Sequence, residues 1–209
     1  MNTQIEAELI GLIPNVLWVL LIAGIVAAFY RPLRNQILPR LGGVNAFGVQ
    51  VTFIQQELDK VIAQQGPNVT DKERSLVLRR AQRMMTITQG AQILWVDDAP
   101  DNNVYLRGLL RSLGIFVDLA KNSFDAVSMA ALTKYDVIIS DMKRDGDSKA
   151  GIKLLAEFQQ RGLDAYRWTI FYFSQYDASR GVPTNAFGAT NRPDELIHLV
   201  MDILDRKRS

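Results

Sequence analysis

Two short runs of strand-forming apolar residues end on carboxylates: Ile93-Leu94-Trp95-Val96 runs into Asp97-Asp98, and Val137-Ile138-Ile139-Ser140 runs into Asp141. β-Branched runs bounded by polar turns read as strands buried on both faces, the setting of a parallel sheet. Such sheets place ligand sites at the carboxyl ends of their strands, so both sets of acids fall on one edge. Carboxylates gathered there repel one another unless a cation neutralises them or one stays protonated. Magnesium, a hard cation that seeks oxygen, suits the group, and Asp97, Asp98 and Asp141 are the candidate metal ligands.

Beyond Gln92 the same kind of run recurs and alternates with amphipathic stretches. The pattern predicts strands at 93–96, 115–119, 135–140, 168–173 and 186–189. Helical spacing predicts helices at 102–113, 123–133, 152–160 and 194–204. Strands alternating with helices specify a doubly wound α/β domain with a five-stranded parallel sheet, here spanning residues 92–209.

An ordered set of landmarks carries a family likeness: Leu94-Trp95-Val96-Asp97-Asp98, Val137-Ile138-Ile139-Ser140-Asp141-Met142, Gly151-Ile152-Lys153-Leu154-Leu155, Phe173-Ser174 and Arg192-Pro193. The segment resembles the phosphoacceptor receiver domain of bacterial response regulators. The resemblance implies strand order 2-1-3-4-5, which sets the first and third strands side by side. It implies that Asp141 is the phosphoacceptor, that Asp97 and Asp98 help Asp141 hold Mg2+, that Ser174 donates to a phosphoryl oxygen, and that a histidine kinase is the partner. A cation after the fifth strand completes the set, and Arg192 stands where the family has lysine.

The chain departs from that pattern in four places. Arg192 keeps the charge of the family's lysine but not its compact geometry. Gln175 follows Ser174 where a small residue is usual. The loop at 142–150, with Asp145, Gly146 and Asp147, is long and lacks the family's proline. Residues 175–185 contain Gly181 and Pro183 and little helical periodicity, so the helix between the fourth and fifth strands is expected to be short or missing. Phe187 reads either as the family's mobile aromatic or as plain core.

Composition narrows the other options. No cysteine is present, which removes disulfides, thiol nucleophiles and thiolate metal sites, and the lone His198 cannot build a histidine cluster. The 24 basic and 22 acidic residues nearly balance, so no nucleic-acid partner is expected, and Arg206-Lys207-Arg208 reads as a solvated helix end.

Residues 9–30 carry no charge. As helix this run of about 22 positions spans roughly 33 Å, the thickness of a bilayer core. Glu6 and Glu8 precede it, which argues against a cleavable signal peptide. Arg31, Arg34, Arg40 and Lys60 follow it, so residues 1–31 read as a single-pass anchor in the inner membrane with the rest in the cytoplasm.

Residues 32–91 read as a juxtamembrane connector. Val49, Val51 and Phe53 alternate like a short strand, 55–65 is helical, and Gly66-Pro67 breaks it. Thr70-Asp71-Lys72-Glu73 has the form of a capping box opening a second helix. Its stripe of Val77, Ala81 and Met84 packs either on its own domain or in a homodimer, with self-packing preferred. Residues 86–91 read as a linker.

The expected function is that of a membrane-anchored receiver-like signalling protein, an acceptor rather than a turnover enzyme. The alternative is a receiver that is not phosphorylated and serves as a docking module. A third and less favoured class is a nucleotide- or NAD-cleaving enzyme on a similar sheet, against which stands the absence of a phosphate-binding glycine loop.

Overall fold

The computed structural model describes Trp18 and residues 45–65, 69–173 and 181–208, with side chains described from residue 51 apart from that of Trp18. The uncharged run at 9–30, apart from Trp18, and Ser174 lie outside the described residues. Among the described residues no helix is long and apolar enough to cross a membrane. The chain divides into two compact units, Met1–Val49 and Gln50–Ser209.

The second unit is built on five parallel strands, β1 (Gln92–Val96), β2 (Phe116–Ala120), β3 (Val137–Ser140), β4 (Thr169–Tyr172) and β5 (Gly188–Thr190). They are ordered β2-β1-β3-β4-β5, the arrangement of receiver and flavodoxin-like folds. The helices in chain order are α1 (Asn45–Gln65), α2 (Asp71–Thr88), α3 (Val104–Ser112), α4 (Ser123–Leu132), α5 (Ala150–Gln160) and α6 (Pro193–Arg208). Short 3-10 turns, Pro100–Asn103 and Asp164–Trp168, lead into α3 and β4.

Side chains alternate across a strand, so each run feeds two cores. Ile93, Trp95, Val137, Ile139 and Ile170 pack with Leu109 and Leu110 of α3 and Ile197, Val200 and Met201 of α6. Leu94, Val96 and Ile138 face the other way, against Ala126 and Val127 of α4 and Leu154 and Phe158 of α5. Burial on both faces accounts for the lack of polar alternation in β1 and β3.

The connector helices join the first of these cores. Ile54, Leu58 and Val61 of α1 and Val77, Ala81 and Met84 of α2 are buried in it together with the sheet. Self-packing of the α2 stripe is thus what the chain adopts. The alternation of Val49, Val51 and Phe53 does not make a strand, because all three lie within α1. The buried positions 54, 58 and 61 follow helical spacing and leave Phe53 exposed, so the local period of two is overridden by the longer period of 3.6.

The capping box at the start of α2 forms in full: Thr70 Oγ1 accepts from the Glu73 N–H at 3.3 Å, and Glu73 Oε2 accepts from the Thr70 N–H at 2.7 Å. At its other end, residues 86–88 remain helical rather than forming a linker. Thr88 is buried and its hydroxyl donates to the Leu113 carbonyl at 2.7 Å, so the chain turns at Gln89-Gly90 straight into β1.

Strand boundaries move by one or two residues: β1 gains Gln92, β2 shifts from 115–119 to Phe116–Ala120, Tyr135 and Asp136 precede β3, Trp168 belongs to the 3-10 turn and Phe173 lies past β4, and β5 runs from Gly188 to Thr190. Between β4 and β5 no helix is present among the described residues, 181–187. Phe187 packs against the first core, tilted on Trp168 at 6.2 Å, as a core residue does.

The basic end of α6 is engaged within the chain. The Arg206 guanidinium lies 5.0 Å over the Phe187 ring, Lys207 Nζ is 2.9 Å from Asp136 Oδ1, and Arg208 donates to the Thr86 carbonyl at 2.7 Å. His198 is half-buried on α6, its Nδ1 3.2 Å from Arg80 Nη1, and burial pulls its pKa down.

Candidate functional site

The main-chain ladders carry the acids one residue past the strands. Asp97 N–H donates to the Ala120 carbonyl at 3.0 Å and Asp141 N–H to the Val96 carbonyl at 2.9 Å. Because β1 and β3 are adjacent, this register sets Asp97, Asp98 and Asp141 together, with one carboxylate oxygen from each lying within 4.8 Å of the others. They line a cleft of about 700 Å3 with Trp95, Asn103, Lys143 and Asp145.

Each carboxylate is held differently. Asp97 is buried, and its oxygens accept from the Trp95 indole at 3.2 Å, the Asn103 amide at 2.9 Å and the Ala99 N–H at 2.9 Å. Asp98 is exposed and accepts from the Asp145 N–H at 2.9 Å. Asp141 is half-buried, with Oδ1 accepting from the Lys143 N–H at 3.3 Å. Burial, reinforced by the Asp97 charge, pushes the Asp141 pKa above its ordinary value. A carboxylate in that condition gains from a nearby cation. Three hard oxygen donors at this spacing fit Mg2+, and no soft ligand is among them.

The long loop after β3 has a definite form. Arg144 and Asp147 exchange main-chain hydrogen bonds at 3.2 and 2.8 Å around Asp145 and Gly146, whose φ angles are +49° and +81°. Two central residues with positive φ make the tight hairpin turn for which Asp-Gly is suited. The turn tip brings the Asp145 N–H onto Asp98. Gly151, at the start of α5, closes the loop from below: a Cβ there would lie 2.8 Å from the Phe171 ring and 3.0 Å from the Asp141 carbonyl oxygen.

Arg192 is placed elsewhere. Its guanidinium donates to Glu73 Oε1 at 2.5 Å and Asp194 Oδ2 at 2.8 Å, and Asn191 lines the cleft in its stead. The acids that claim it lie on α2 and α6, and no sequence spacing links Glu73 to position 192. Trp95 and Asn103, which fix Asp97, were also not singled out from sequence. An amide six residues after an aspartate carries no signal until the turn at Pro100–Asn103 folds it back.

The Glu73 carboxylate serves both the capping box and Arg192, and these contacts hold its pKa at about 2 against an ordinary 4.5, with the Thr70 N–H contributing most. A depressed carboxylate stabilises the fold above its unfolded pKa and loses that contribution as pH falls through the folded value. Glu73→Gln keeps the cap but not the charge. The gap in melting temperature between wild type and Glu73→Gln is therefore expected to be steady at neutral pH and to close between about 4.5 and 2, checked by thermal denaturation across that window.

No protein-family model matches the chain, and no curated protein does. Similar solved structures are response-regulator receiver domains at low identity. The response regulator TrrA of Thermotoga maritima, solved in complex with Mg(2+)-BeF, is 22% identical, with a TM-score of 0.46 over 54% of this chain and 98% of its own. A two-component response regulator of Clostridium difficile is 23% identical, with a TM-score of 0.48 over 57% of this chain and 99% of its own. The Francisella response regulator 1452 receiver domain is 18% identical, with a TM-score of 0.48 over 56% of this chain and 99% of its own.

Proposed function

We propose that the chain is a membrane-anchored receiver-like signalling protein in which Asp141 accepts a phosphoryl group from a histidine kinase. The observation that carries this reading is the meeting of Asp97, Asp98 and Asp141 at the carboxyl ends of two adjacent parallel strands, with Asp141 reaching the cleft from a half-buried position. A carboxylate oxygen of Asp141 forms the new P–O bond as the P–N bond of the donor phosphohistidine breaks. The electron pair stays on the imidazole nitrogen.

The chain's own residues prepare that transfer. The hydrogen bond to Val96 fixes the Asp141 main chain, and three donors hold Asp97 in one orientation. Asp97, Asp98 and Asp141 would hold Mg2+, which when bound offsets the charge between the carboxylates and the incoming phosphoryl oxygens. Ser174 is the proposed hydroxyl donor. In this reading, output passes by protein contacts.

Residues 9–30 supply the anchor in this reading and place the domain on the cytoplasmic side. Alkaline carbonate is expected to leave the full-length protein in the membrane pellet, as read by immunoblot. Release into the supernatant removes the anchor from the proposal.

One observation favours a second reading. With Arg192 engaged by Glu73 and Asp194, the cation expected near the phosphoryl group is turned away from the cleft, which suits a docking module that is not phosphorylated. Incubating the full-length chain in detergent with Mg2+ and acetyl phosphate separates the two. Gain of one phosphoryl group by intact mass supports the acceptor, and no gain under conditions that label an ordinary receiver supports the docking module.

A further inference from the structure

Arg144 is 2% exposed, and of the two buried arginines among the described residues, Arg107 and Arg144, it is the one that adjoins the acceptor. A buried guanidinium is costly unless its hydrogens and its charge are both met. Three of its N–H groups are met, all by neutral oxygens. Nη1 donates to Ser140 Oγ at 2.7 Å and to the main-chain carbonyl of Asp141, and Nη2 donates to Ser123 Oγ at 3.1 Å. Nε has no hydrogen-bond partner among the described residues, and no carboxylate there forms an ion pair with this side chain. The charge is met at longer range. Burial pulls the Arg144 pKa down, and Asp141, Asp98, Asp97 and Asp145 each push it back up.

The same contacts tie three elements to one group: the end of β3 through Ser140, the acceptor's main chain, and the start of α4 through Ser123. The Arg144 main chain meanwhile closes the Asp145-Gly146 hairpin, whose tip binds Asp98. We infer that Arg144 is the resident counter-ion of the acidic cleft and a positioning residue for Asp141. The positioning role rests on the phosphoacceptor reading, whereas the counter-ion role requires only that the cleft bind a cation. A lysine keeps the charge but cannot present two planar nitrogens to the two serines and the carbonyl.

The test uses the full-length chain in detergent and two readouts. Magnesium affinity is followed through the Trp95 indole N–H resonance, since that group donates to Asp97, and acceptor reactivity is followed as the rate of phosphoryl gain from acetyl phosphate by intact mass. Arg144→Gln removes a positive charge beside the cation site, so Mg2+ binding is expected to tighten by about fivefold to tenfold. Labelling is expected to slow by about tenfold or more, because Asp141 is no longer fixed. Arg144→Lys is expected to return the metal affinity to the wild-type value but not the labelling rate.

A residue that only propped the loop would weaken both together. Unchanged or weaker Mg2+ binding in Arg144→Gln overturns the counter-ion, and an unchanged labelling rate overturns the positioning role. A wild type that binds Mg2+ but never labels overturns the phosphoacceptor reading and the positioning role with it, while the metal titration still decides the counter-ion. A wild type with no metal response overturns both. Should Arg144→Gln not fold, Ser123→Ala keeps every charge and removes one acceptor. It is expected to leave metal affinity unchanged and to slow labelling by about twofold to threefold, and no slowing overturns the positioning role.

Discussion

On the phosphoacceptor reading, Asp141→Asn is expected to abolish phosphoryl gain from acetyl phosphate while leaving the fold intact. The amide has the shape of the carboxylate but no nucleophilic oxygen of comparable strength, and the hydrogen bonds that place residue 141 come from the main chain, which the substitution does not alter. Burial and the Asp97 charge both disfavour the ionised Asp141, so the metal-free variant is expected to melt above the metal-free wild type at neutral pH. Added Mg2+ should then raise the melting temperature of the wild type more than that of the variant. Intact mass with thermal denaturation in the presence and absence of Mg2+ checks both halves. Phosphoryl gain by Asp141→Asn assigns the nucleophile to another residue. Asp98→Ala, which keeps the nucleophile and removes one carboxylate from the cluster, is expected to slow labelling and to raise the Mg2+ concentration it requires.

Leu58→Ala destabilises the receiver-like unit by about 2–5 kcal/mol, as deletion of a fully buried leucine does when its surroundings close only in part. Leu58 is 0% exposed and shares its core with Val77, Leu109 and Leu110. The expected result is one cooperative transition at a lower temperature, read by circular dichroism of the full-length chain. If α1 were a separable tether, the transition of the sheet would not move. The result therefore distinguishes a connector from a helix that belongs to the domain.

The sheet was legible in the sequence because its signals are local. Runs such as Val137-Ile138-Ile139-Ser140 are too short and too β-branched for helices, and the acids that follow them mark where the strands stop. The capping box at Thr70 was legible for the same reason, since its partners lie three residues apart. Other features depend on contacts that spacing does not carry. Val49, Val51 and Phe53 alternate by accident of sequence, and the tertiary burial of Ile54, Leu58 and Val61 decides that the segment is helical.

The candidate site divides along the same line. Asp97, Asp98 and Asp141 could be read because each follows a strand. The part played by Arg144 could not, because an arginine in an acidic loop reads as solvated until Ser123 and Ser140 are seen to enclose it. Asp145-Gly146 reads in sequence only as part of a long loop, because a hairpin signal from such a pair needs apolar alternation on its flanks and Arg144 and Asp147 do not supply it. Arg192 was displaced from its expected place by a carboxylate 119 positions away.

That reach in sequence also bears on how the chain acquires its fold during synthesis. Helix α2 is joined to the far end of the domain along its length: Glu73 to Arg192, Arg80 to His198 and Asp202, and Thr86 to Arg208, with separations of 118 to 122 residues. Contacts of such long range form late, because a large loop must close before they reward it. A ribosome that has released residues 50–88 has not yet made the helix against which α2 rests. The part of the Val77, Ala81 and Met84 stripe that α6 covers waits for residues 196–204, so premature termination before those buried positions yields a chain with an open hydrophobic groove rather than a slightly shortened domain.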